Sequence, residues 1–331
     1  MIDPAPPTCW AISDGAAGNA RQVDALARAL GLEARAVRIE LRQPWALLAP
    51  RLTWRAEAAI RDQHGEPPAP PWPDIAIGCG RRAALLTRLL RRWSGARTFT
   101  VQILDPRIDP AAFDLVIAPQ HDQLRGANVI GSIGALNEVG PAWLAAGRAR
   151  FAQLAALPAP RTALLIGGST RAQRLDARYF DALLERLAAW QETDGGSFLT
   201  SVSRRTPSPL TARLRSRLAR FPGTFWDGSG TNPYAGFLGW AERIVVTPDS
   251  VNMLSEACAT GKPVYTFAPR PIAGKLARLH AALLASGHVR RLDDPSPPPL
   301  PPPLAETAAI AELVRGRWRQ SMAGHASAHP A

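Results

Sequence analysis

The sequence predicts an α/β protein of two doubly wound domains, each built around a parallel sheet. Short β-branched runs alternate with helical patterns, as expected when helices cross over between parallel strands. The same alternation starts again after a proline-containing break near residue 155. The 331 residues of the chain also exceed the ~250–300 at which a single hydrophobic core usually stops growing.

In the first half, six apolar runs bounded by turn residues are predicted to be strands. They are TCWAI (8–12), ARAVRIEL, DIAIG (74–78), TFTVQIL, FDLVIAP and ANVIG. Helices are predicted at 19–30, 45–60, 82–93 and 141–157. The first of them places Val23, Leu26, Ala27 and Leu30 on one face and ends before Gly31.

The second half repeats this organisation. We predict strands at TALLI, SFLTSVS, RIVVT and PVYTF, and helices at 176–190, at 210–221 and from Val251. We therefore assign a first domain to residues 1–155 and a second to residues 156–293. The stretch DPSPPPLPPP (294–303) is predicted to be a stiff polyproline linker. A plain spacer is the favoured interpretation, and a ligand for a proline-binding domain is the alternative. A helix at 304–320 and a disordered tail at 321–331 complete the expected organisation.

Composition excludes several classes of protein. The formal charge of +12 would indicate an anionic partner, but 39 basic residues include only two lysines, so the excess also reflects an arginine-rich composition. We expect no nucleic-acid partner. Cys9, Cys79 and Cys258 lie far apart, with no second Cys or His at metal-ligand spacing, which predicts buried, reduced thiols and no metal. Because neither a secretion signal nor a membrane-spanning run is evident, we expect a cytoplasmic location.

In doubly wound folds, ligands bind outside the carboxyl ends of the strands, so polar residues directly after strands are candidates. The helix from Val251 begins after such a strand, with Asp249 or Ser250 as its cap. Its spacing places Val251, Leu254 and Cys258 on a buried face, and Asn252 and Glu256 on another. The free amides of a helix start favour phosphate, and Glu256 can accept a ribose diol. A simple helix cap is the alternative interpretation.

Two further turns in the second half also place polar residues or glycines directly after a predicted strand. In LLIGGSTR, Gly167 and Gly168 would let the backbone approach an anion, and Ser169 or Thr170 would add a hydroxyl, although an ordinary tight turn also explains them. Ser203, Arg204 and Arg205 follow another strand, and arginine is well suited to phosphate, although a solvated pair is the alternative.

In the first half, the loop ISDGAAGN (12–19) joins the first strand and helix, and contains Asp14 as a potential base. IGCGRRA (77–83) matches the dinucleotide-type pattern G-x-G-x-x-A, with Asp105 after the next strand. Arg81 and Arg82 at that turn would suit an anion. The basic helix that follows could lie on anionic lipid, but packing on its own sheet is favoured. Zinc-hydrolase, serine-hydrolase and P-loop patterns are absent from the sequence.

These motifs resemble a known family, the mitochondrial fission or elongated-mitochondria proteins, which has many bacterial members. The matching motifs are SDGAAGNARQ, GCGRR, QILDPR, PQHD, IGGSTR, SRRTP, GTNPYAGFLGWAERIVVTPDSVNMLSEA and TGKPV, spanning roughly residues 8–267. The family is similar to GT-B-type glycosyltransferases, which implies two Rossmann-like domains with parallel sheets facing across a cleft. It also implies that the second domain binds a nucleotide sugar.

The resemblance implies a role for each candidate. On the donor side are Gly167, Gly168, Ser169, Thr170, Ser203, Arg204, Arg205, Asn232, Tyr234, Asp249, Ser250, Asn252, Met253 and Glu256. On the acceptor side are Ser13, Gly15, Gly18, Asn19, Gln22, Gly80, Arg81, Arg82, Gln102, Asp105 and His121. Where such enzymes tend to carry a histidine in the first loop, this chain has Asn19, so Asp14 becomes the candidate catalytic base.

The sequence therefore predicts a metal-independent, nucleotide-sugar-dependent glycosyltransferase that needs no cofactor. Its acceptor would be a lipid-linked or cell-envelope saccharide, with peripheral contact to the inner membrane. Two alternatives stay open: a non-catalytic nucleotide-binding or adaptor protein on the same fold, and an NAD(P)-dependent oxidoreductase that uses Gly78 and Gly80. Because Glu256 is expected off the apolar face, Glu256→Ala is predicted to weaken nucleotide binding without unfolding the domain.

Overall fold

The computed structural model describes residues 6–294 and 299–328, with side chains as far as residue 324. It divides into two compact units. The first contains the chain as far as Asn137 together with the segment from Glu306, and the second contains Glu138–Ala305.

The first unit is a six-stranded parallel sheet with a small antiparallel pair beside it. Its strands are β1 (Cys9–Ser13), β2 (Ala34–Arg38), β3 (Glu40–Leu41), β4 (Ile60–Arg61), β5 (Ile75–Cys79), β6 (Phe99–Ile103), β7 (Leu115–Pro119) and β8 (Val129–Ser132). Its first helices are α1 (Ala17–Ala29), α2 (Trp45–Leu48) and α3 (Arg81–Trp93). The sheet order is β2-β1-β5-β6-β7-β8, and β3 pairs with β4.

The second unit holds another six-stranded parallel sheet. Its strands are β9 (Arg161–Ile166), β10 (Ser197–Val202), β11 (Gly223–Trp226), β12 (Arg243–Val246), β13 (Val264–Thr266) and β14 (Arg290–Arg291). Its helices are α4 (Pro141–Arg150), α5 (Ala177–Asp194), α6 (Ser208–Leu218), α7 (Tyr234–Trp240), α8 (Val251–Ala259) and α9 (Gly274–Ala285). The sheet order is β11-β10-β9-β12-β13-β14. The last helix, α10 (Glu306–Ala328), belongs to the first unit.

Both sheets are covered by helices on two faces, as their apolar sequences predict. β1, β5, β6 and β7 are buried along their whole length, as expected for parallel strands packed on both sides. One core of the first unit joins α1 and α10 to the sheet through Leu26, Ile77 and Val314. A second core joins α3 to the sheet through Leu86 and Leu90. The predicted fold class of two parallel α/β sheets is confirmed.

Each sheet has one topological switch point, where the strand order reverses direction. In the first sheet it lies between β1 and β5, and in the second between β9 and β12. In doubly wound sheets, ligands bind outside the carboxyl ends of the strands at such points. The residues that follow these four strands are therefore the ones that the fold places in position to bind a ligand.

The division into units differs from the expected boundary near residue 155. The observed boundary lies after Asn137, so that α4 belongs to the second unit. The reason is that α4 packs against α7, a helix of the second unit that comes much later in the chain. The C-terminal helix, which was predicted at 304–320 and assigned to neither domain, belongs to the first unit. There the Glu306 carboxylate accepts from the amides of Ile133 and Gly134 at 2.8 and 2.9 Å.

Several elements differ from the sequence prediction. The helix expected at 45–60 is reduced to the four residues of α2 and a short 3-10 turn, Ala56–Ala58. β11, α7, α9 and β14 were not predicted. The tail expected to be disordered from residue 321 is helical as far as Ala328. Of the expected polyproline linker, residues 295–298 lie outside the described residues, and Pro303 packs near Gly261.

The three cysteines are buried and free, as predicted. Among the described residues, none of the helices combines the length and the apolar character that crossing a membrane requires.

Candidate functional site

The second switch point gathers three loops at the carboxyl ends of neighbouring strands. Gly167 follows β9, Ser203 follows β10, and Thr247 follows β12 directly before the start of α8. β9 lies between the other two strands, since it pairs with both β10 and β12. The predicted donor-side residues on these loops are therefore neighbours in space.

Asp249 ties these loops together. Its Oδ2 accepts a hydrogen bond from the Gly168 amide at 3.1 Å and one from the Arg205 guanidinium at 2.6 Å. Its Oδ1 accepts from the Thr247 hydroxyl at 2.7 Å. The Gly167 amide donates to that same hydroxyl oxygen at 2.8 Å. One buried carboxylate thus holds residues from three strands in one arrangement.

The two glycines are explained by this packing. A Cβ on Gly167 would lie 2.1 Å from Asp249 Oδ1, and one on Gly168 would lie 2.3 Å from the Arg205 carbonyl oxygen. The prediction that Gly168 holds a donor phosphate needs correction, because its amide already donates to the Asp249 carboxylate. The Asp249 carboxylate thus occupies the position beside the Gly168 amide where the sequence predicted a ligand phosphate.

Burial and hydrogen bonding act in opposite directions on the pKa of Asp249. Burial raises the pKa of its carboxyl, while the hydrogen bond from Thr247, the charge of Arg205 and the Gly168 amide lower it. The net direction of the pKa is upward. The Asp249 side chain is fully buried, whereas that of Arg205 is about half exposed. The carboxylate is therefore a costly buried charge that depends on its three donors.

Of the two predicted caps, Asp249 and Ser250, it is Ser250 that caps the start of α8. Its hydroxyl oxygen accepts from the Met253 amide at 3.4 Å, and its carbonyl accepts from the Leu254 amide at 3.1 Å. The amides of Val251 and Asn252 precede the first intrahelical bond, so their donors point away from the helix. Neither amide has a hydrogen-bond partner among the described residues. The start of α8 therefore combines the positive end of the helix dipole with two free amide donors, which together favour binding of an anion.

Glu256 is buried, which corrects the prediction that it lies off the packed face. Its Oε2 accepts a hydrogen bond of 2.6 Å from the Tyr234 hydroxyl, which comes from the start of α7. Leu254 and Cys258 are buried as predicted, and Val251 is only half-buried. Glu256→Ala is now expected to destabilise the second unit, because truncation removes a buried carboxylate that accepts a hydrogen bond from the half-buried Tyr234 side chain.

The other donor-side candidates have local roles. The Ser169 hydroxyl accepts from the Leu175 amide at 2.9 Å, and the Thr170 hydroxyl accepts from the Gln173 amide at 3.1 Å. The Ser203 and Thr206 hydroxyls lie 3.2 Å apart. The Asn232 carbonyl oxygen accepts from the Tyr234 amide at 3.0 Å. The Arg204 side chain is exposed and makes no hydrogen bond or ion pair with another described residue, so it is available to a ligand.

At the first switch point, Asp14 closes its own loop. Its Oδ1 accepts from the Asn19 side-chain amide at 3.0 Å and from the Ala16 amide at 3.2 Å. The Asn19 oxygen lies 3.5 Å from the thiol of Cys79. A Cβ on Gly80 would meet Asn19 Nδ2 at 2.6 Å. The predicted loop residues after β1 and β5 are therefore in contact, and packing against Asn19 requires the glycine at 80.

The remaining acceptor-side candidates are mostly engaged. The Arg81 guanidinium is held by the protein itself, since its Nη1 donates to the carbonyls of Leu47 at 2.6 Å and Ala49 at 2.9 Å. The Asp105 carboxylate accepts from the Arg107 amide at 2.8 Å. The side-chain oxygens of Gln22 and Gln102 are buried and have no hydrogen-bond partner among the described residues.

A few other candidates complete the first loop cluster. Gly15 needs its left-handed backbone, φ 79°, and its amide lies 3.4 Å from the Ser13 hydroxyl oxygen. Gly18 accepts from the Gln22 side chain at 3.4 Å. His121 lies beside Asp122, with Nε2 and Oδ1 3.9 Å apart. Arg82 is exposed.

Two residues of the Asp249 network escaped sequence reasoning. Thr247 donates to Asp249, and the Thr206 hydroxyl donates to the Gly167 carbonyl at 2.7 Å. Both residues carry a hydroxyl group and lie shortly after a strand, and this position is the feature of the sequence by which they could have been identified. No group of three or more metal-ligating side chains occurs within the part of the chain that the structure describes.

Comparison with known proteins gives a family and a fold. A family model described as Mitochondrial fission ELM1 matches residues 17–318. Mitochondrial fission protein ELM1 of Arabidopsis thaliana is 33% identical over 275 residues, covering 73% of this chain and 63% of that protein. The match therefore spans less than two thirds of the length of this relative.

Two solved structures share the fold. UDP-GlcNAc 2-epimerase from Methanocaldococcus jannaschii has a TM-score of 0.56 at 13% identity, covering 93% of this chain and 99% of the other. The enzyme of the same name from Neisseria meningitidis, bound to UDP-GlcNAc, has a TM-score of 0.52 at 12% identity, covering 95% and 94%. The two parallel sheets thus share the fold of these two epimerases.

Proposed function

The chain belongs to the Mitochondrial fission ELM1 family, and we propose that it binds a nucleotide sugar and transfers the glycosyl group to an acceptor. One observation carries this proposal. The donor-side residues predicted from sequence converge at the carboxyl edge of the second sheet, at its switch point, where doubly wound folds bind nucleotides.

The start of α8 supports diphosphate binding. The amides of Val251 and Asn252 offer two donors at the positive end of the helix. Arg204 adds an exposed cation on the loop after β10. A charge-assisted hydrogen bond contributes about 1.5–3 kcal/mol and the helix dipole ~0.3–1 kcal/mol, so these groups acting together give useful affinity. Gly168 does not contact the diphosphate in this proposal, because its amide donates to Asp249.

The Tyr234–Glu256 pair supports recognition of the nucleoside. The tyrosine hydroxyl fixes one carboxylate oxygen of Glu256 at 2.6 Å, one helical turn beyond Asn252. Each carboxylate oxygen has two lone pairs, so a bonded carboxylate retains the capacity to accept from a ribose hydroxyl. The UDP-GlcNAc 2-epimerases that share the fold support a nucleoside diphosphate sugar as the ligand.

The transfer itself needs one proton acceptor. The acceptor hydroxyl oxygen forms a bond to the anomeric carbon, the bond from that carbon to the phosphate oxygen breaks, and the nucleoside diphosphate leaves with the electron pair. The proton of the hydroxyl passes to a carboxylate, for which Asp14 is the candidate. The proposed reaction uses no metal and no cofactor, so adding a chelator should leave turnover unchanged.

A thermal-shift screen with UDP-, GDP-, CMP- and ADP-sugars against NAD(P) tests the proposal first. Stabilisation by one class of nucleotide sugar, followed by release of its nucleotide in the presence of a saccharide acceptor, is the expected result. No stabilisation by any nucleotide sugar would contradict it. Arg204→Ala should reduce the shift, and Arg220→Ala, which removes an equal charge at an exposed position just after α6, should not.

A second candidate function is nucleotide binding without transfer. Asp14 favours it, because its carboxylate already stabilises the turn through Ala16 and Asn19. Binding of a nucleotide sugar without turnover, unchanged in Asp14→Asn, would support this alternative. The oxidoreductase alternative lacks such support, since a Cβ on Gly78 would lie 2.1 Å from Thr87 Oγ1. Packing, rather than approach of a pyrophosphate, requires that glycine.

A further inference from the structure

An exposed apolar cluster lies on the segment 42–55 of the first unit. Leu47 is 69% exposed, Leu48 46% and Trp54 69%. Single exposed apolar residues are ordinary on protein surfaces. Three large ones within eight consecutive residues are not ordinary, and they make the segment distinct from the rest of this unit.

The same segment is basic. Arg42, Arg51 and Arg55 are exposed, and no acidic residue occurs between Leu41 and Ala56. The Arg55 guanidinium lies over the Trp54 ring, 5.2 Å from its centroid. The nearest acidic residues along the chain are Glu40 and Glu57. We call Leu47, Leu48 and Trp54 with these three arginines the 42–55 surface.

The backbone of this surface is already hydrogen-bonded. Arg81 of α3 donates to the carbonyls of Ala46, Leu47 and Ala49 at 3.3, 2.6 and 2.9 Å. Arg88 donates to the Pro50 carbonyl at 3.2 Å. Because these carbonyls have partners inside the protein, removing water from the segment leaves few unpaired polar groups.

The indole of Trp45 completes this arrangement. Its Nε1 donates to the Trp54 carbonyl at 3.0 Å, which joins the two ends of the segment. The apolar side chains are thus held outward by a fixed backbone rather than by a loose loop. Tryptophan and arginine are also the residues that suit a lipid interface, where one end is apolar and the other is hydrated.

We infer that the 42–55 surface docks onto an anionic membrane, with Leu47, Leu48 and Trp54 entering the headgroup region and Arg42, Arg51 and Arg55 contacting lipid phosphates. The charge of the segment has one sign and is complementary to acidic lipid. The apolar side chains add binding free energy by entering the lipid, and a partner bound by charge alone would not require them. This inference does not depend on sugar transfer.

Flotation of the full chain with vesicles tests the inference, with phosphatidylcholine alone compared with phosphatidylcholine plus phosphatidylglycerol. The wild-type chain should float with the anionic vesicles and much less with the neutral ones. Leu47→Ser with Trp54→Ser should lower partitioning at least about tenfold, because two buried apolar groups are lost. Arg51→Gln with Arg55→Gln should lower it roughly 30-fold.

Matched controls come from α10. Leu313 is 54% exposed, and Arg317 and Arg319 are exposed on the same helix. Leu313→Ser, and Arg317→Gln with Arg319→Gln, should bind as the wild type does. Circular dichroism melts confirm that each variant is folded.

Three results would overturn the inference. The first is no binding of the wild type to anionic vesicles, and the second is equal partitioning of the wild type and all variants. The third is loss of binding in the arginine pair with full binding in the Leu47 and Trp54 pair, which would indicate an acidic partner that needs no apolar contact.

Discussion

The Arg205 guanidinium and the Asp249 carboxylate form an ion pair of 2.6 Å whose acidic member is fully buried and whose basic member is half exposed. The pair joins the loop after β10 to the loop before α8. The predicted phosphate-binding turn at Gly167 and Gly168 is thereby built around an internal carboxylate.

Arg205→Ala should destabilise the second unit. It leaves the buried carboxylate short of a charged donor, at a cost of about 2 kcal/mol. Chemical denaturation measures the loss. In the double variant with Asp249→Asn, the neutral amide still accepts from the Gly168 amide, so most of the stability should return. A double variant as unstable as Arg205→Ala alone would contradict this account of the pair.

Gly167→Ala should also destabilise, by about 1–3 kcal/mol, since its Cβ would collide with Asp249. An ideal Cβ at this position would lie 2.1 Å from Oδ1. Gly316→Ala on α10 is the matched control, because its Cβ would meet nothing within 4 Å and alanine favours a helix. Melting temperatures should fall for the first variant and stay level or rise for the second. Equal behaviour of the two variants would rule out the close contact.

Tyr234→Phe tests the second pair of the site. Removing the hydroxyl deprives buried Glu256 of a charge-assisted bond and should cost about 1.5–3 kcal/mol. Tyr265→Phe is the control, as the Tyr265 hydroxyl forms no hydrogen bond with any described residue. Denaturant midpoints for the two variants give the comparison. An unchanged midpoint for Tyr234→Phe would show that the bond contributes nothing.

Acid should weaken the second unit through His280. Burial is the main cause of its lowered pKa, against the raising effects of the Pro248 hydrogen bond and the Asp249 charge. The folded ring is neutral, while the unfolded chain takes up a proton at the ordinary pKa of 6.5. Stability from this residue is therefore present above about pH 6.5 and is lost as the pH falls toward the lower folded pKa, by up to ~1.4 kcal/mol per unit.

His280→Gln isolates this effect, because its amide can donate to the Pro248 carbonyl without titrating. The difference in unfolding free energy between wild type and variant should shrink as the pH falls from 7 to 5. A pH-independent difference for His280→Gln would refute a neutral, buried ring.

Much of the fold could be predicted from local pattern. The strands before the site, such as β9 and β12, are short apolar runs, and the start of α8 at Val251 follows from its Ser250 cap. The partner of Glu256 could not be predicted. Periodicity shows which side of a helix is polar, but it does not show that α7 packs there and brings Tyr234 within 2.6 Å.

The role of Gly167 and Gly168 was also beyond local reasoning. A Gly-Gly turn indicates that something approaches the backbone closely, and both a phosphate and a side chain satisfy that condition. The Asp249 carboxylate comes from a loop far along the chain. The domain boundary was misplaced for a similar reason, because only the long-range packing of α4 on α7 shows that α4 belongs to the second unit.

Calorimetric titration with nucleoside diphosphates and their sugars tests the central proposal most directly. We predict saturable binding at one site, weakened about tenfold or more in Arg204→Ala through loss of a charged donor. The charge-matched Arg220→Ala should bind as the wild type does. Absence of saturable binding for every nucleoside diphosphate and nucleotide sugar, with the protein shown to be folded, would contradict the proposal.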